Sequence, residues 1–501
     1  MLVCAGVALA ILLAAFVADG GLRLEPTTNV GIGFMLAGAG LCCAALLHPR
    51  ARALPASGTA ALLAFAALAG LTAISIVWSL APSDSWVEAA RTLSYLSVFA
   101  GGLALARLAP GRWPAVLHGI ALGCAIVCGY ALLTKVFPGA LAADERFARL
   151  RAPFGYWNAV GLMAAVGVPP LLWLGARRSG HAAVNALAWP GIALLLVCLM
   201  LSYSRGAIVA LGVGLVVWFA VVPLRLRGAV VLLGALAGAV PIVAWSFGMT
   251  GLSEDDVPVG VRADAGHELG ALLLVMAAAL LAAGLVAGFL ATESPPSPGA
   301  KRLAGRVLIV LVALIPVAGG IALASSPGGI DGQLRNAWSR ATDPEANTPA
   351  NTPARLTATS SVRARYWEEA FDVHATEPWL GAGAGAYGTA RTRFRTGKLY
   401  VRHAHGYVPQ TLADLGWAGM ALSLLTLGLW GWTAARATGL RRRDRGLPWD
   451  AERVGLVTLG SVAVVFGVSS ALDWTWFVPA NAAVGLFAAG WVAGRPPLRD
   501  R

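Results

Sequence analysis

Basic and imidazole side chains are concentrated in one segment of the chain. They are Arg391, Arg393, Arg395, Lys398, Arg402, His403 and His405, and no Asp or Glu follows before Asp414. Guanidinium groups bind phosphate oxygens in a forked geometry, so this segment predicts an anion site, with phosphate as the expected class. The surrounding positive charge favours a neutral imidazole that can accept a proton. We therefore expect that His405 can accept a proton.

The two histidines could instead hold a metal ion, because imidazole is a common zinc ligand. His403 and His405 alone are a thin ligand set, and carboxylates are sparse near them in the sequence. We predict no metal site and no cofactor.

Two more groups of polar residues could contribute to the same chemistry. Arg205 lies in a short hairpin, Ser202-Tyr-Ser-Arg205-Gly206, between two apolar runs. Arg363 and Arg365 lie in a predicted amphipathic helix over 361–376. For Arg205, the alternative is a side chain that extends to the lipid headgroups. For Arg363 and Arg365, the alternative is the solvated face of an interfacial helix.

A further pair, Tyr156 and Asn158, lies at the predicted start of a helix. These side chains could line a lipid or sugar site. The alternative is that they cap the helix or lie at the membrane interface.

The elements that must position these residues are transmembrane helices. Of the 501 residues, 57% are hydrophobic and 13% are charged, and the mean hydropathy is +0.70. A soluble protein of this length could not cover its surface with so few charges. The apolar runs are roughly 18–24 residues long, which fits helices that cross a bilayer.

We therefore predict an all-α, polytopic integral membrane helical bundle of about 14 spans, with 12–14 as the range. The predicted spans are 2–18, 29–47, 59–80, 88–108, 114–134, 157–175, 184–202, 206–222, 228–247, 268–291, 303–324, 407–434, 452–471 and 474–494.

The distribution of arginines predicts the orientation. Every second connection is basic, and the last is the cluster Arg436, Arg441, Arg442, Arg443 and Arg445. Under the positive-inside rule these connections and both termini are cytoplasmic. The formal charge of +13 is thus explained by topology, and we predict no nucleic acid partner. The expected location is the cytoplasmic (inner) membrane.

One long connection lacks an apolar run. The expected organisation is a transmembrane bundle over 1–324, a large extracytoplasmic loop over 325–406 that contains short helices, and C-terminal helices over 407–501. The site residues would then lie extracytoplasmically.

Four stretches of the chain resemble the O-antigen ligase and polymerase superfamily of bacterial membrane glycosyltransferases. They are Arg151-Ala-Pro-Phe-Gly-Tyr-Trp-Asn158, Ser204-Arg205-Gly206, Arg363-x-x-x-Trp367 with Pro378-x-x-Gly381-x-Gly383, and His405 followed by Gly416 and Gly419. The resemblance covers about residues 70–435. One departure is Gly406, where ligases usually have Asn, Ser or Gln.

The resemblance implies transfer of a glycan from undecaprenyl pyrophosphate to an acceptor hydroxyl, without a metal. It implies that Arg205 and Arg363 hold the diphosphate and that His405 is the base. Possible supporting positions are Arg365, Arg395, Arg402, His403, Asn158, Gly416 and Gly419. The implied partners are the lipid-linked glycan, a glycan, lipid or protein acceptor, and membrane lipids.

Three functions remain open at this point. The first is a ligase-like transferase, and the second is a repeat-unit polymerase of the same superfamily. The third is a lipid-linked glycan transporter or flippase. A transporter would place its charges near the bilayer midplane. Here the spans are nearly free of charge and the polar residues gather at one rim.

Overall fold

The computed structural model consists of helices and connecting loops. The structure describes residues 1–21, 23–293, 297, 299–300, 302–307, 310, 314, 320–321, 324–346, 349–358, 360–395, 397, 400–444 and 446–500. Helices make up 79% of the structure, and no strand occurs in these ranges. The predicted all-α fold class is confirmed.

The α-helices whose bounds the structure describes before the long loop are α1 Leu2–Val17, α2 Leu24–Leu47, α3 Pro49–Ala53, α4 Thr59–Ile74, α5 Pro82–Leu108, α6 Trp113–Val136, α7 Pro138–Leu141, α8 Trp157–Ala176, α9 Ala182–Ala186, α10 Ala188–Leu201, α11 Arg205–Val221, α12 Arg225–Gly248, α13 Thr250–Ser253 and α14 Val259–Glu293. The later helices of the described chain are α15 Gly329–Thr342, α16 Arg363–Thr376, α17 Tyr387–Ala390, α18 Tyr407–Thr438, α19 Ala451–Leu472 and α20 Pro479–Gly494.

Ten helical segments in the described part of the chain are long and apolar enough to cross a membrane. Three further predicted spans correspond to α1, α11 and α20, which are 16 or 17 residues long. The span predicted at 303–324 falls largely on residues outside the described ranges. The protein is a multi-pass helical membrane protein.

Several helices begin earlier than the apolar runs predicted. The helix expected at 88 begins at Pro82, and the one expected at 268 begins at Val259. Hydropathy detects only the part of a helix that must be apolar because it lies in the hydrocarbon core. The helical conformation itself continues into the flanking polar residues. Pro82 stands in the first turn, where proline is favoured because its missing N–H costs no hydrogen bond.

Helix α8 is the centre of the bundle. Almost every one of its residues is buried, and it packs against α6, α10, α11, α12 and α19. A helix that is apolar on every side fits such a position. The starts of α8, α11 and α18 and the end of α19 meet on the side of the bundle that carries the loop, which we call the loop side.

The loop is attached to α18 through a break in that helix. Gly416 has φ +58° and ψ −156°, and a β-carbon there would lie 2.5 Å from the Trp379 carbonyl carbon. The freed N–H groups of Trp417 and Ala418 donate to the carbonyl oxygens of Pro378 and Trp379, at 2.9 and 3.0 Å. Gly416 thus has a packing role, because only glycine combines this conformation with so close an approach.

Candidate active site

His405 is held in a restrained conformation just before α18. Its φ is +53°, a left-handed value that is uncommon for residues other than glycine. The indole N–H of Trp367 donates to the His405 carbonyl oxygen at 3.4 Å, and the Tyr366 ring stacks on the imidazole at 5.5 Å between centroids. Both aromatic residues belong to α16, so this helix orients the histidine.

The imidazole is paired with Asp473, which follows α19. His405 Nδ1 lies 2.9 Å from Asp473 Oδ1. The other carboxylate oxygen accepts hydrogen bonds from the Tyr156 hydroxyl and from Asn158 Nδ2, each at 2.6 Å. Arg363 Nη2 also approaches Asp473 Oδ1, at 3.5 Å. The buried carboxylate therefore connects the starts of α8, α16 and α18.

These contacts keep the Asp473 carboxylate ionised. Burial alone would raise the pKa of Asp473, but the Arg363 guanidinium and the hydrogen bonds from His405 and Tyr156 hold its pKa well below the ordinary value. When the imidazole is neutral, an ionised Asp473 selects the tautomer in which Nδ1–H donates a hydrogen bond to the carboxylate, and this leaves Nε2 free to accept a proton. This is the tautomer that a general base requires.

Four arginines from separate segments are close enough to interact electrostatically, namely Arg149, Arg205, Arg355 and Arg363. Burial, followed by the charge of Arg355, lowers the pKa of Arg149 to about 9, and Arg205 adds to the effect. Burial and the charges of Arg205 and Arg363 lower the pKa of Arg355 to about 10. The repulsion among these cations would be relieved by a bound anion.

Neutral partners hold three of these arginines in place, namely Arg149, Arg205 and Arg355. Arg205 donates to the carbonyl oxygens of Ala358 and Ser360, the latter at 3.2 Å. Arg149 donates to the Ser202 carbonyl oxygen at 3.0 Å and to Asn158 Oδ1 at 3.3 Å. Backbone carbonyls fix a guanidinium group without cancelling its charge. The charge remains available to an anion.

The other predicted supporting residues lie elsewhere. Arg365 donates to the Pro344 carbonyl oxygen at 2.7 Å, Arg402 pairs with Asp84 at 3.4 Å, and Arg395 is exposed. Gly419 accepts a hydrogen bond from Ser423 within α18, at 2.8 Å.

His403 lies between aromatic rings beside the site. It stacks on Phe477 at 3.9 Å and on Trp474 at 5.0 Å between ring centroids. Burial and the nearby charge of Arg91 place the pKa of His403 well below its ordinary value. The His403 ring therefore packs against the aromatic side chains that follow Asp473.

Three residues of the site were not singled out from the sequence for this chemistry, namely Asp473, Arg149 and Arg355. Asp473 could have been noticed, because it is an acid in a short turn between two apolar runs, followed by Trp474-Thr-Trp-Phe477. Arg149 and Arg355 stand in segments without a recognisable pattern. Asp414, nine residues after His405, accepts hydrogen bonds from the N–H groups of Gly385 and Tyr387, each at 2.9 Å.

A search of the described residues finds no group of three or more His, Cys, Asp or Glu side chains that could hold a metal ion. The site therefore consists of the four-arginine cluster beside the His405–Asp473 pair. Such a site can bind a phosphorylated substrate and remove a proton.

Part of the chain matches a known protein family. Residues 266–424, about a third of the chain, match the model of a family described as O-antigen ligase. The match supports the O-antigen ligase and polymerase superfamily. The matched segment includes Arg363 and His405, whereas Arg205 and Asp473 lie outside it. No curated protein matches the chain. A family of this description consists of ligase-type glycosyltransferases that act on a lipid-linked glycan and an acceptor.

Proposed function

We propose that this protein is an O-antigen-ligase-like glycosyltransferase that acts on the extracytoplasmic side of the cytoplasmic membrane. It transfers a glycan from undecaprenyl pyrophosphate to an acceptor hydroxyl. The observation that carries the proposal is the contact of Asp473 with both His405, at 2.9 Å, and Arg363, at 3.5 Å. This contact supports the proposal, because it brings the proposed base close to a guanidinium group that is proposed to bind the leaving group.

In the proposed reaction, His405 Nε2 removes the proton from the acceptor hydroxyl as its oxygen attacks the anomeric carbon. The bond from that carbon to the diphosphate breaks, and its electron pair passes to the diphosphate oxygen. Asp473 keeps the imidazole in the required tautomer and stabilises the imidazolium that forms.

The arginines stabilise the departing diphosphate. Charge grows on its oxygens as the anomeric bond breaks, and guanidinium groups that are already fixed need no reorganisation at that moment. Arg205 and Arg363 are the principal ligands in this proposal. No nucleotide is required, because the lipid diphosphate is itself the activated leaving group.

The proposal is tested with the purified full-length protein in lipid nanodiscs, a lipid-diphosphate glycan and a set of acceptors. His405→Ala should abolish transfer, because a positioned base contributes about 10²–10⁴-fold. Arg205→Lys should also fail, since an ammonium group cannot make the forked contact. Arg146→Lys is the control, because Arg146 is largely exposed and pairs with Asp256 at 2.6 Å. Full activity of His405→Ala at normal protein level would exclude the assigned base.

The same assay separates a ligase from a polymerase. A ligase would attach one intact glycan to a different acceptor, whereas a polymerase would form a ladder of products from the donor alone. The departure at Gly406 keeps the polymerase as the second candidate. Tight packing accounts for a glycine at position 406, because a β-carbon there would lie 3.1 Å from Trp367 Nε1 and 3.2 Å from the Ala471 carbonyl oxygen.

We further propose that the transfer is independent of metal ions. Addition of a chelator should leave the rate unchanged, because the described site offers guanidinium groups where a metal-dependent enzyme would place a cation. Loss of activity that is restored by a divalent cation would contradict this part of the proposal.

A further inference from the structure

The first helix of the loop, α15, has an apolar face that nothing in the described structure covers. Successive residues of a helix are rotated by about 100°. Ile330, Leu334, Ala337, Trp338 and Ala341 therefore lie within an arc of about 100°. Arg335, Ser339 and Arg340 lie outside that arc.

The large side chains of this face are exposed. The exposed fractions are 46% for Ile330, 61% for Leu334 and 72% for Trp338, and α15 contains no buried residue. Exposure of three large apolar side chains on one helix face to water is energetically unfavourable. The face therefore requires an apolar partner.

The composition of α15 indicates which partner this is. A helix with a narrow apolar face that contains Trp, a polar remainder and basic flanks is typical of segments that lie in the headgroup region of a bilayer. Arg335 and Arg340 outnumber the single acid, Asp331, so the helix has a positive charge that suits anionic headgroups.

The position of α15 in the chain brings it to the bilayer surface. Only residues 325–328 separate it from the end of the span predicted at 303–324. Four residues reach at most about 14 Å, so α15 must begin near the headgroups.

We propose that α15 is an interfacial helix that binds the surface of the bilayer on the loop side, with its Ile330–Leu334–Trp338 face among the upper acyl chains. The segment after α15 includes Arg355 and the two carbonyl groups that hold Arg205. The membrane is thus an anchor for the part of the loop that covers the cationic cluster. This inference does not depend on the identity of the reaction.

The test measures lipid contact residue by residue in the full chain reconstituted into phospholipid vesicles. Cys4, Cys42 and Cys43, which are at least partly exposed, are first replaced by alanine. Leu334→Cys, on the apolar face, is labelled with an environment-sensitive fluorophore. Ser339→Cys, on the opposite face of the same helix, is the matched control.

The emission of the label at position 334 should shift to the blue, and lipids that carry a quencher on the acyl chain should quench it severalfold more than the label at 339. Trp338→Asp should remove most of this quenching, whereas Asn336→Asp, on the polar side, should not. Equal quenching at 334 and 339 would overturn the proposal. A blue shift without lipid quenching would also overturn it, because it would show a protein occupant in place of the bilayer.

Discussion

At the scale of single residues, the carboxylate of Asp473 has four polar neighbours and only two oxygens. Tyr156 and Asn158 occupy one oxygen, and His405 and Arg363 share the other. A carboxylate held on both sides cannot rotate freely. It therefore fixes the direction of the imidazole as well as its tautomer.

The first prediction concerns this carboxylate. Asp473→Asn should lower the rate of transfer by about 10²–10⁴-fold, because a neutral amide neither selects the tautomer nor stabilises the imidazolium. Single-turnover kinetics with the lipid-linked donor measure the effect. Donor binding should change much less than the rate.

Asp84→Asn is the matched control for this change. Asp84 is partly exposed on the loop side and pairs only loosely with Arg402, at 3.4 Å. Its replacement should leave the rate within about twofold of the unmodified protein, since exposed ion pairs contribute little. A comparable loss in both variants would argue against a specific role for Asp473.

The second prediction separates two arginines of one helix. Arg363 points towards Asp473, whereas Arg365 donates to the Pro344 carbonyl oxygen at 2.7 Å. Arg363→Lys should lose transfer because lysine cannot bind a diphosphate in a forked geometry. Arg365→Lys should retain most of the rate. The same donor assay, run on both variants side by side, decides between them, and equal activity would contradict the assignment.

The sequence was informative about residues whose neighbours are close in the chain. Arg363 and His405 stood out because each belongs to a local cluster of polar residues. Asp473 did not, because it lies 68 residues beyond the histidine that it contacts. A contact of this kind depends on how α18 and α19 pack, and a local pattern contains no information about that packing.

At the scale of elements, hydropathy located the helices well and their ends poorly. The predicted span at 157–175 agrees with α8 to within one residue, because a buried helix is apolar from end to end. Helix α14 begins at Val259, nine residues before its predicted start, because its first turns contain Arg262, Asp264 and Glu268. The break at Gly416 could not be predicted, since a glycine in a helix alone does not show what packs against it.

The third prediction concerns that break. Gly416→Ala should destabilise the protein by about 1–3 kcal/mol or more, because the backbone conformation is strained for any β-carbon and the Trp379 backbone occupies the space. Gly428→Ala in the same helix is the control, because a β-carbon there meets no atom within 4 Å. Thermal unfolding in detergent measures both. A similar melting temperature for the two variants would show that the break is not needed for stability.

At the scale of the whole molecule, the site is assembled from segments that span Arg149 to Asp473. It can exist only when the bundle is complete and the loop is attached, so its residues must all reach one side of the membrane. The polar contacts agree with this requirement, because Arg149, Arg363 and His405 all connect to Asp473 directly or through Asn158.

The last prediction tests which side that is. The basic cluster after α18 should be cytoplasmic, because positively charged connections are retained there during insertion. In this cluster Asp444 holds Arg441 and Arg499 at 3.0 and 2.7 Å, while Arg442 is exposed. Ser339→Cys, in the loop, should react with a membrane-impermeant maleimide in intact spheroplasts, and Arg442→Cys should react only after lysis. The reverse pattern would put the histidine and the arginines in the cytoplasm, where an extracytoplasmic transferase could not work.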